Sequence, residues 1–294
     1  MSRVAVVTGA AGAMGSACAE AIGPRSDVLL LTDRDEPGLA VTAGRLRPDG
    51  REVVTVVGDI ADPGMIDELQ RRAADLGDLG SLVHTAGVSP SMADWEEVLR
   101  VDLAGVVRLL DAFVGDVVPG TTAVCLASVS AHMGTFDPAM DTVLDTPLEP
   151  DLAARFRSCF GGEPDPGSTY RLAKRGVIRA CERAAVGWGA GGGRVLSLSP
   201  GLIDTGMGRL ELAENPVKEQ LAELTPITSP RQGPDPVLPG HTGDIADAVA
   251  FLCSDRAAFI SGCDLRVDGG LIGAMNQPST SAELTDDTTG GPGG

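Results

Sequence analysis

Tyr170 and Lys174 stand four residues apart in the stretch Tyr170-Arg171-Leu172-Ala173-Lys174. On a helix that spacing puts both side chains on one face, one turn from each other. A phenol is a weak acid, with a pKa of about 10. A cation one turn away stabilises the phenolate and draws that value toward neutrality. Such a pair can move a proton to or from an alcohol or carbonyl oxygen at ordinary pH. Tyr170 is also the only tyrosine in the chain. The same spacing arises by chance, with a half-buried tyrosine beside a solvated lysine. The pair therefore needs surrounding elements that deliver it to a site.

Those elements begin at the N-terminus. Residues 3–7 form a short apolar, β-branched run, followed by Thr8-Gly9-Ala10-Ala11-Gly12-Ala13-Met14-Gly15 and a small-residue helical stretch to Ile22. Strand, glycine-rich turn and helix together predict a dinucleotide site. The glycines let the backbone approach a pyrophosphate, which rests on the amides of the helix N-terminus. A second strand, 27–31, leads to Asp33, 18 residues after Gly15. That is near the spacing of the acid that binds adenosine ribose hydroxyls. A carboxylate there repels a 2′-phosphate, which favours NAD over NADP, although Arg34 could pair with a phosphate. A third strand, 53–57, ends at Gly58-Asp59-Ile60, where Asp59 could accept from an adenine amino group or simply form a turn.

Further strands are expected at 81–84, 122–126, 194–198 and 263–267, with helices at Pro63–Leu76, 94–113, 170–189, 206–224 and 244–254. Strand and helix alternate throughout. The fold class is α/β, a Rossmann-like doubly wound parallel sheet of about seven strands flanked by helices, with ligands at the carboxyl ends of the strands. Gly9 to Gly15, Asp33, Asp59, Ala86-Gly87 and Ser128 all fall at such ends. Residues 1–275 read as one catalytic domain, with 206–240 as a substrate loop. Residues 276–294 are rich in Ser, Thr, Asp and Gly and read as a disordered tail.

Composition narrows the function. There are 41 acidic and 23 basic residues, a net charge of −18, which disfavours nucleic-acid and anionic-membrane partners. Hydrophobic residues make up 43% and aromatics 3%, so aliphatic side chains must fill the core. No apolar run approaches the roughly 18 residues of a membrane span, and no secretory h-region opens the chain. Six cysteines without C-x-x-C spacing read as reduced, buried thiols of a cytoplasmic protein. Neither they nor His84, His132 and His241 have metal-ligand spacing.

In order, these residues resemble the short-chain dehydrogenase/reductase family over about 3–275. The carriers are the glycine turn, Asp59, Ala86-Gly87, Ser128, Tyr170 with Lys174, Pro200-Gly201, and the closing Phe259-Ile260-Ser261-Gly262 and Val267-Asp268-Gly269-Gly270. The resemblance implies an oxidoreductase interconverting alcohol and ketone. Tyr170 would be the general acid/base. Lys174 would hold the nicotinamide ribose, and Ser128 would hydrogen-bond the reacting oxygen, with Ser130 as its alternative. Backbone at Ile203 would meet the nicotinamide carboxamide, Thr205 would add a contact, and Thr85 would join the dinucleotide site. Members usually dimerise through the helices at 94–113 and 170–189, often on to tetramers. Val106, Leu109, Leu110 and Phe113 could supply a sticky face.

Ser128 and Tyr170 are 42 residues apart, against roughly a dozen in most members. The extra segment, 132–168, carries Phe136, Met140, Leu144, Leu148, Leu152, Phe156 and Phe160 at helical spacing. It is similar to an insertion in the bacterial 3α-hydroxysteroid dehydrogenase/carbonyl reductase group. That implies a bulky apolar substrate, a steroid or terpenoid, near Ser130, His132 and Phe136; a subunit interface is the competing use. Four departures stand out. Ala13 replaces a usual Gly, His84-Thr85 a pair of asparagines, Leu196 an Asn, and Asp102 the Asn that is the family's fourth catalytic residue. Asp102 would attract Lys174 and alter the tyrosine, so activity with a shifted pH optimum is the expectation. The glycine spacing also suggests a sugar-nucleotide epimerase or dehydratase, and the departures a non-catalytic dinucleotide sensor.

Overall fold

The computed structural model describes residues 2–47, 50–233 and 236–277. The tail expected at 276–294 lies outside the described residues from 278 onward. In chain order the elements are β1 (Arg3–Thr8), α1 (Ala13–Ile22), β2 (Val28–Asp33), α2 (Glu36–Leu46), β3 (Glu52–Val57), α3 (Pro63–Leu76), β4 (Asp78–His84) and α4 (Trp95–Leu99). A π-helical segment, Arg100–Gly105, joins α4 to α5 (Val106–Phe113). Then come β5 (Thr122–Leu126), α6 (Pro138–Asp145), α7 (Leu152–Phe160), α8 (Pro166–Ala190) and β6 (Arg194–Pro200). The chain continues through α9 (Gly206–Glu214), α10 (Val217–Leu224), α11 (Thr242–Leu252), β7 (Asp264–Val267) and α12 (Leu271–Met275).

Acidic residues set many of the helix starts. Asp35, Asp62, Asp94 and Asp165 each accept a backbone N–H from the first turn that follows, and three of them precede a proline-containing first turn. A cap of this kind contributes about 1 kcal/mol and satisfies a donor the helix cannot use itself. The Asp165-Pro166 start places Tyr170 and Lys174 in the second and third turns of α8.

The seven strands form one parallel sheet in the order β3-β2-β1-β4-β5-β6-β7. Both faces are covered. Val4 and Val6 of β1 face a core layer under α3, α5 and α8, while Ala5 and Val7 face another under α1 and α11. The strands therefore read as nearly continuous apolar runs, as buried parallel strands must. Among the described residues, no helix is long and apolar enough to cross a membrane.

Four expectations are corrected by the structure. The helix expected over 206–224 is two helices, because Pro216 has no N–H to continue α9 past Asn215. The long helix expected at 94–113 changes winding over Arg100–Gly105. Its supposed sticky face is inside the chain's own core, since Val106, Leu109, Leu110 and Phe113 are all buried. Of the cysteines expected to be buried, Cys159, Cys253 and Cys263 are half-exposed; all six are unpaired thiols.

The 132–168 segment supplies α6 and α7. Met140, Leu144 and Phe156 sit in the core layer shared with α4, α5 and α8. Phe156 stacks between Trp95 (6.1 Å between centroids) and Phe160 (6.0 Å). Arg175 and Arg179 of α8 reach Asp141 and Asp145 of α6 at 2.7 and 2.5 Å, and Arg183 also binds Asp145. The apolar positions of the segment are thus largely core. Leu148, at 39% exposed, is the exception. Phe156→Ala should therefore cost about 3–5 kcal/mol, as for a main-core aromatic. Urea denaturation measures it, and a loss under about 1 kcal/mol would show that α7 is only loosely attached.

Candidate active site

Two regions meet at the carboxyl edge of the sheet. The first is a cavity of about 460 Å³ at the switch point, where β1 lies between β2 and β4. Gly9, Gly12, Ala13, Met14, Gly15, Asp33, Arg34, Asp59, Ile60, Thr85, Ala86, Gly87 and Thr205, all anticipated from sequence, line it. The glycines are there for space. Gly9 has φ +69°, and a Cβ on it would lie 2.6 Å from the Ala86 nitrogen. A Cβ on Gly15 would lie 2.1 Å from the Gly9 oxygen. α1 begins at Ala13 with no side chain capping its first amides, so those N–H groups face the cavity.

Asp33 is already committed to shaping this cavity. Its Oδ2 accepts the Ala11 N–H at 2.9 Å and its Oδ1 the Asp35 N–H at 3.0 Å. Arg34, on the same rim, makes no hydrogen bond or ion pair among the described residues. Asp59 accepts from the Ala61 N–H at 2.9 Å and the Arg100 guanidinium at 2.8 Å. Burial opposes its charge, but these bonds and the Arg100 cation hold its carboxyl below the usual range. Sequence reasoning missed Met92, Val101 and Met207, which also line the cavity. They lie in loops and on a helix with no motif to mark them.

The second region is the proton-handling cluster. A 3₁₀ turn, Val129–His132, follows β5, and Ser128 caps it. Ser128 Oγ accepts the Ser130 N–H at 3.2 Å and the Ser130 hydroxyl at 3.0 Å. Ser128 also faces Tyr170 and eases ionisation of the phenol. With its acceptor sites filled by Ser130, the Ser128 proton is free to point at an oxygen beside Tyr170. Ser130 thus stands behind Ser128. His132, expected at the substrate, turns instead to Asp264 Oδ2 at 2.8 Å and Ser199 Oγ at 3.3 Å. Phe136, expected there too, lies under the Arg175 guanidinium, 4.1 Å from its centroid.

Lys174 is buried. Its Nζ donates to the Leu126 carbonyl at 3.3 Å, lies 5.4 Å from the Tyr170 ring centroid, and is 3.7 Å from Asp102 Oδ2. Asp102 is fully buried, and its Oδ1 accepts the Val88 N–H at 2.9 Å. Gly87 separates this cluster from the cavity it lines: a Cβ there would lie 2.9 Å from Asp102 Oδ1 and 3.3 Å from Lys174 Nζ. The expected lowering of the tyrosine by its lysine is corrected. Burial, then the charges of Asp102 and Glu211, push the Tyr170 phenol above its ordinary range, and Ser128 only partly offsets them. Glu211, on α9, was not anticipated. His84 is no proton donor at neutral pH. Burial, with the Lys174 charge, pushes it down to about 3, and its Nδ1 bonds Thr8 Oγ1 at 2.8 Å.

Pro200, Gly201 and Ile203 are outside the cavity lining. A Cβ on Gly201 would lie 2.7 Å from Asp268 Cα, and Ile203 pairs with Gly240. They hold the loop that brings Thr205 to the cavity rim.

Comparison with known proteins agrees with this geometry. The family model for short chain dehydrogenases matches residues 3–139, and that for enoyl-(acyl carrier protein) reductases matches 161–272. Cis-4-hydroxycyclohexanecarboxylate dehydrogenase of Sinomonas cyclohexanicum is 30% identical, over 91% of this chain and 96% of its own. The chain belongs to the short-chain dehydrogenase/reductase family. Short-chain dehydrogenase/reductase bsc3 of Alternaria brassicicola is 28% identical over 96% of this chain and 100% of its own. A short-chain dehydrogenase from Burkholderia cenocepacia, solved with NADP, has the same fold, with a TM-score of 0.70, 21% identity and coverage of 91% and 96%. As a short-chain dehydrogenase/reductase this chain is an oxidoreductase of CH–OH groups that takes a nicotinamide dinucleotide. Residues 140–160, most of α6 and α7, fall between the two family matches.

The tight turn yields a direct test. Gly15→Ala should weaken reduced-dinucleotide binding at least about tenfold, because its methyl collides with the Gly9 carbonyl that shapes the pyrophosphate turn. Fluorescence titration of the reduced dinucleotide reads this, and unchanged affinity would remove the turn from the binding site.

Proposed function

We propose that this enzyme is an NAD-dependent oxidoreductase interconverting a bulky, apolar secondary alcohol and its ketone, with Tyr170 as general acid/base. The observation that carries the reading is the grouping of Ser128, Tyr170 and Lys174 beside a cavity of about 460 Å³, with Gly87 between Lys174 and that cavity. The cavity suits a dinucleotide: free helix-terminal amides and glycines for the pyrophosphate, and Asp33 for the adenosine ribose hydroxyls. When bound, the dinucleotide supplies or accepts the hydride.

The chain's own residues do the rest. Ser128 donates to the substrate oxygen and stabilises charge that develops there. Tyr170 Oη gives or takes the proton on that oxygen. Lys174, fixed by the Leu126 carbonyl, orients the ribose and the phenol. The thioether of Met133 and the side chains of Val129, Leu202, Leu212 and Leu221 form an apolar cluster between the Ser128 turn and α9–α10, which supports an apolar substrate. The name of the Sinomonas relative shares the secondary alcohol on an alicyclic ring but also carries a carboxylate; the apolar form of that ring alcohol proposed for this chain is a steroid or terpenoid. A homodimer or homotetramer, by family resemblance, in the cytoplasm, from the unpaired thiols, completes the reading.

Two measurements test it. Tyr170→Phe should lower kcat by at least about a thousandfold while leaving dinucleotide affinity within a few-fold, since only the proton is lost. Retained turnover would overturn the assignment. Asp33→Asn should narrow the preference for NAD over NADP by about tenfold or more, by removing repulsion of a 2′-phosphate next to Arg34. A parent enzyme that already prefers NADP would reverse the cofactor assignment.

A further inference from the structure

A buried ammonium beside a general acid/base normally stabilises the phenolate and makes the phenol a stronger acid. Here its charge is answered from behind. Asp102 sits on the π-helical segment, which turns its carboxylate into the space between β4, β5 and α8. Oδ1 is held by the Val88 N–H, and Oδ2, with no hydrogen-bond partner among the described residues, faces Lys174 Nζ at 3.7 Å. Lys174 and Asp102 are enclosed together, at 5% and 0% exposed. Burial pushes the Asp102 carboxyl up, while Lys174 and the Val88 N–H hold it down. As ammonium and carboxylate, the pair has a net charge of zero.

The other groups around the phenol do not replace the lost cation. Glu211 of α9 is an acid, itself paired with Lys218 at 3.0 Å. Ser128 is neutral. His84 of β4, the remaining titratable group near Lys174, is uncharged at neutral pH. Glu97 of α4 adds negative charge near Asp102.

We propose that Asp102 is a positioning residue that cancels the Lys174 charge, keeps Tyr170 a neutral proton donor, and so suits the site to carbonyl reduction at neutral pH. The second half rests on the oxidoreductase reading above. In that direction the Tyr170 O–H bond breaks and an O–H bond forms on the substrate oxygen. The carbonyl carbon gains a C–H bond with the electron pair of the hydride from the reduced dinucleotide, which is oxidised. Water then reprotonates the phenolate. Alcohol oxidation needs the phenolate at the start and becomes efficient only at higher pH.

Because Tyr170 is the only tyrosine, ultraviolet tyrosinate absorbance titrates this one phenol without any turnover. Tyr170→Phe supplies the blank. In the parent the signal should appear above the ordinary phenol range of about pH 10. In Asp102→Asn, of nearly the same shape, it should appear about one to three units lower, since the cation is no longer opposed. The ratio of reduction to oxidation rate at neutral pH should fall about tenfold or more in that variant. Glu211→Gln should move the titration by less than half as much. A parent phenol that titrates near neutrality overturns the proposal with no variant needed. Coincident parent and Asp102→Asn curves, or a larger shift from Glu211→Gln, overturn it as well. Shifted titrations with no turnover on any alcohol or ketone would sink the oxidoreductase reading and leave charge cancellation standing.

Discussion

A lysine ammonium cannot be taken out of water without partners, and much of this molecule's arrangement follows from Lys174. The Leu126 carbonyl, the Asp102 carboxylate and the face of Tyr170 surround it. Each partner comes from a different element: the end of β5, the π-helical segment and the preceding turn of α8. Gly87 must lack a side chain for these to converge, because a Cβ there would press on both Asp102 and Lys174. Gly176, two residues past Lys174, lets Leu103 of the π-helical segment approach; a Cβ on it would lie 2.5 Å from the leucine. The close crossing of α8 over that segment is therefore part of how the ion pair is held.

The two halves of the site depend on each other through the sheet. Parallel pairing of β1 with β4 brings Gly9 against Ala86, which shapes the cavity floor. Pairing of β4 with β5 places the Gly87 loop next to the Ser128 turn. That turn is tied down twice: Ser130 orders Ser128 from within, and His132 reaches the edge strand at Asp264, whose other oxygen accepts from Ser197 at 2.6 Å. A hydroxyl that must meet a reacting oxygen within hydrogen-bond distance needs such restraint.

The added segment between Ser128 and Tyr170 changes the surroundings more than the chemistry. Its phenylalanines and methionine enlarge the core on the α4–α8 side, and its aspartates neutralise three arginines of α8. Part of the chain's acid excess thus serves local pairing and helix capping, beside any role in solubility. Ion pairs at this half-buried level contribute modestly each; the aromatic stack accounts for more of the attachment.

The strand-turn-helix at the N-terminus, the alternation of elements and the spacing of Tyr170 and Lys174 were determined by the sequence alone. They depend on local rules: glycine where backbones touch, β-branched runs for buried strands, aspartate and proline at helix starts. Those rules act over a few residues and need no partner. The cavity lining from Gly9 to Gly87 was legible for that reason. Tertiary structure alone decided the charge state around Tyr170. A neighbour one turn away predicts a lowered phenol, but the sum of burial, Asp102 and Glu211 runs the other way, and those acids come from segments 68 and 41 residues distant. Tertiary structure likewise turned His132 toward Asp264 and Phe136 under Arg175, and drew Leu109 and Phe113 into the core. Helical and strand periodicity identify an apolar or polar face. Which neighbour that face meets depends on chain crossings that no local pattern records.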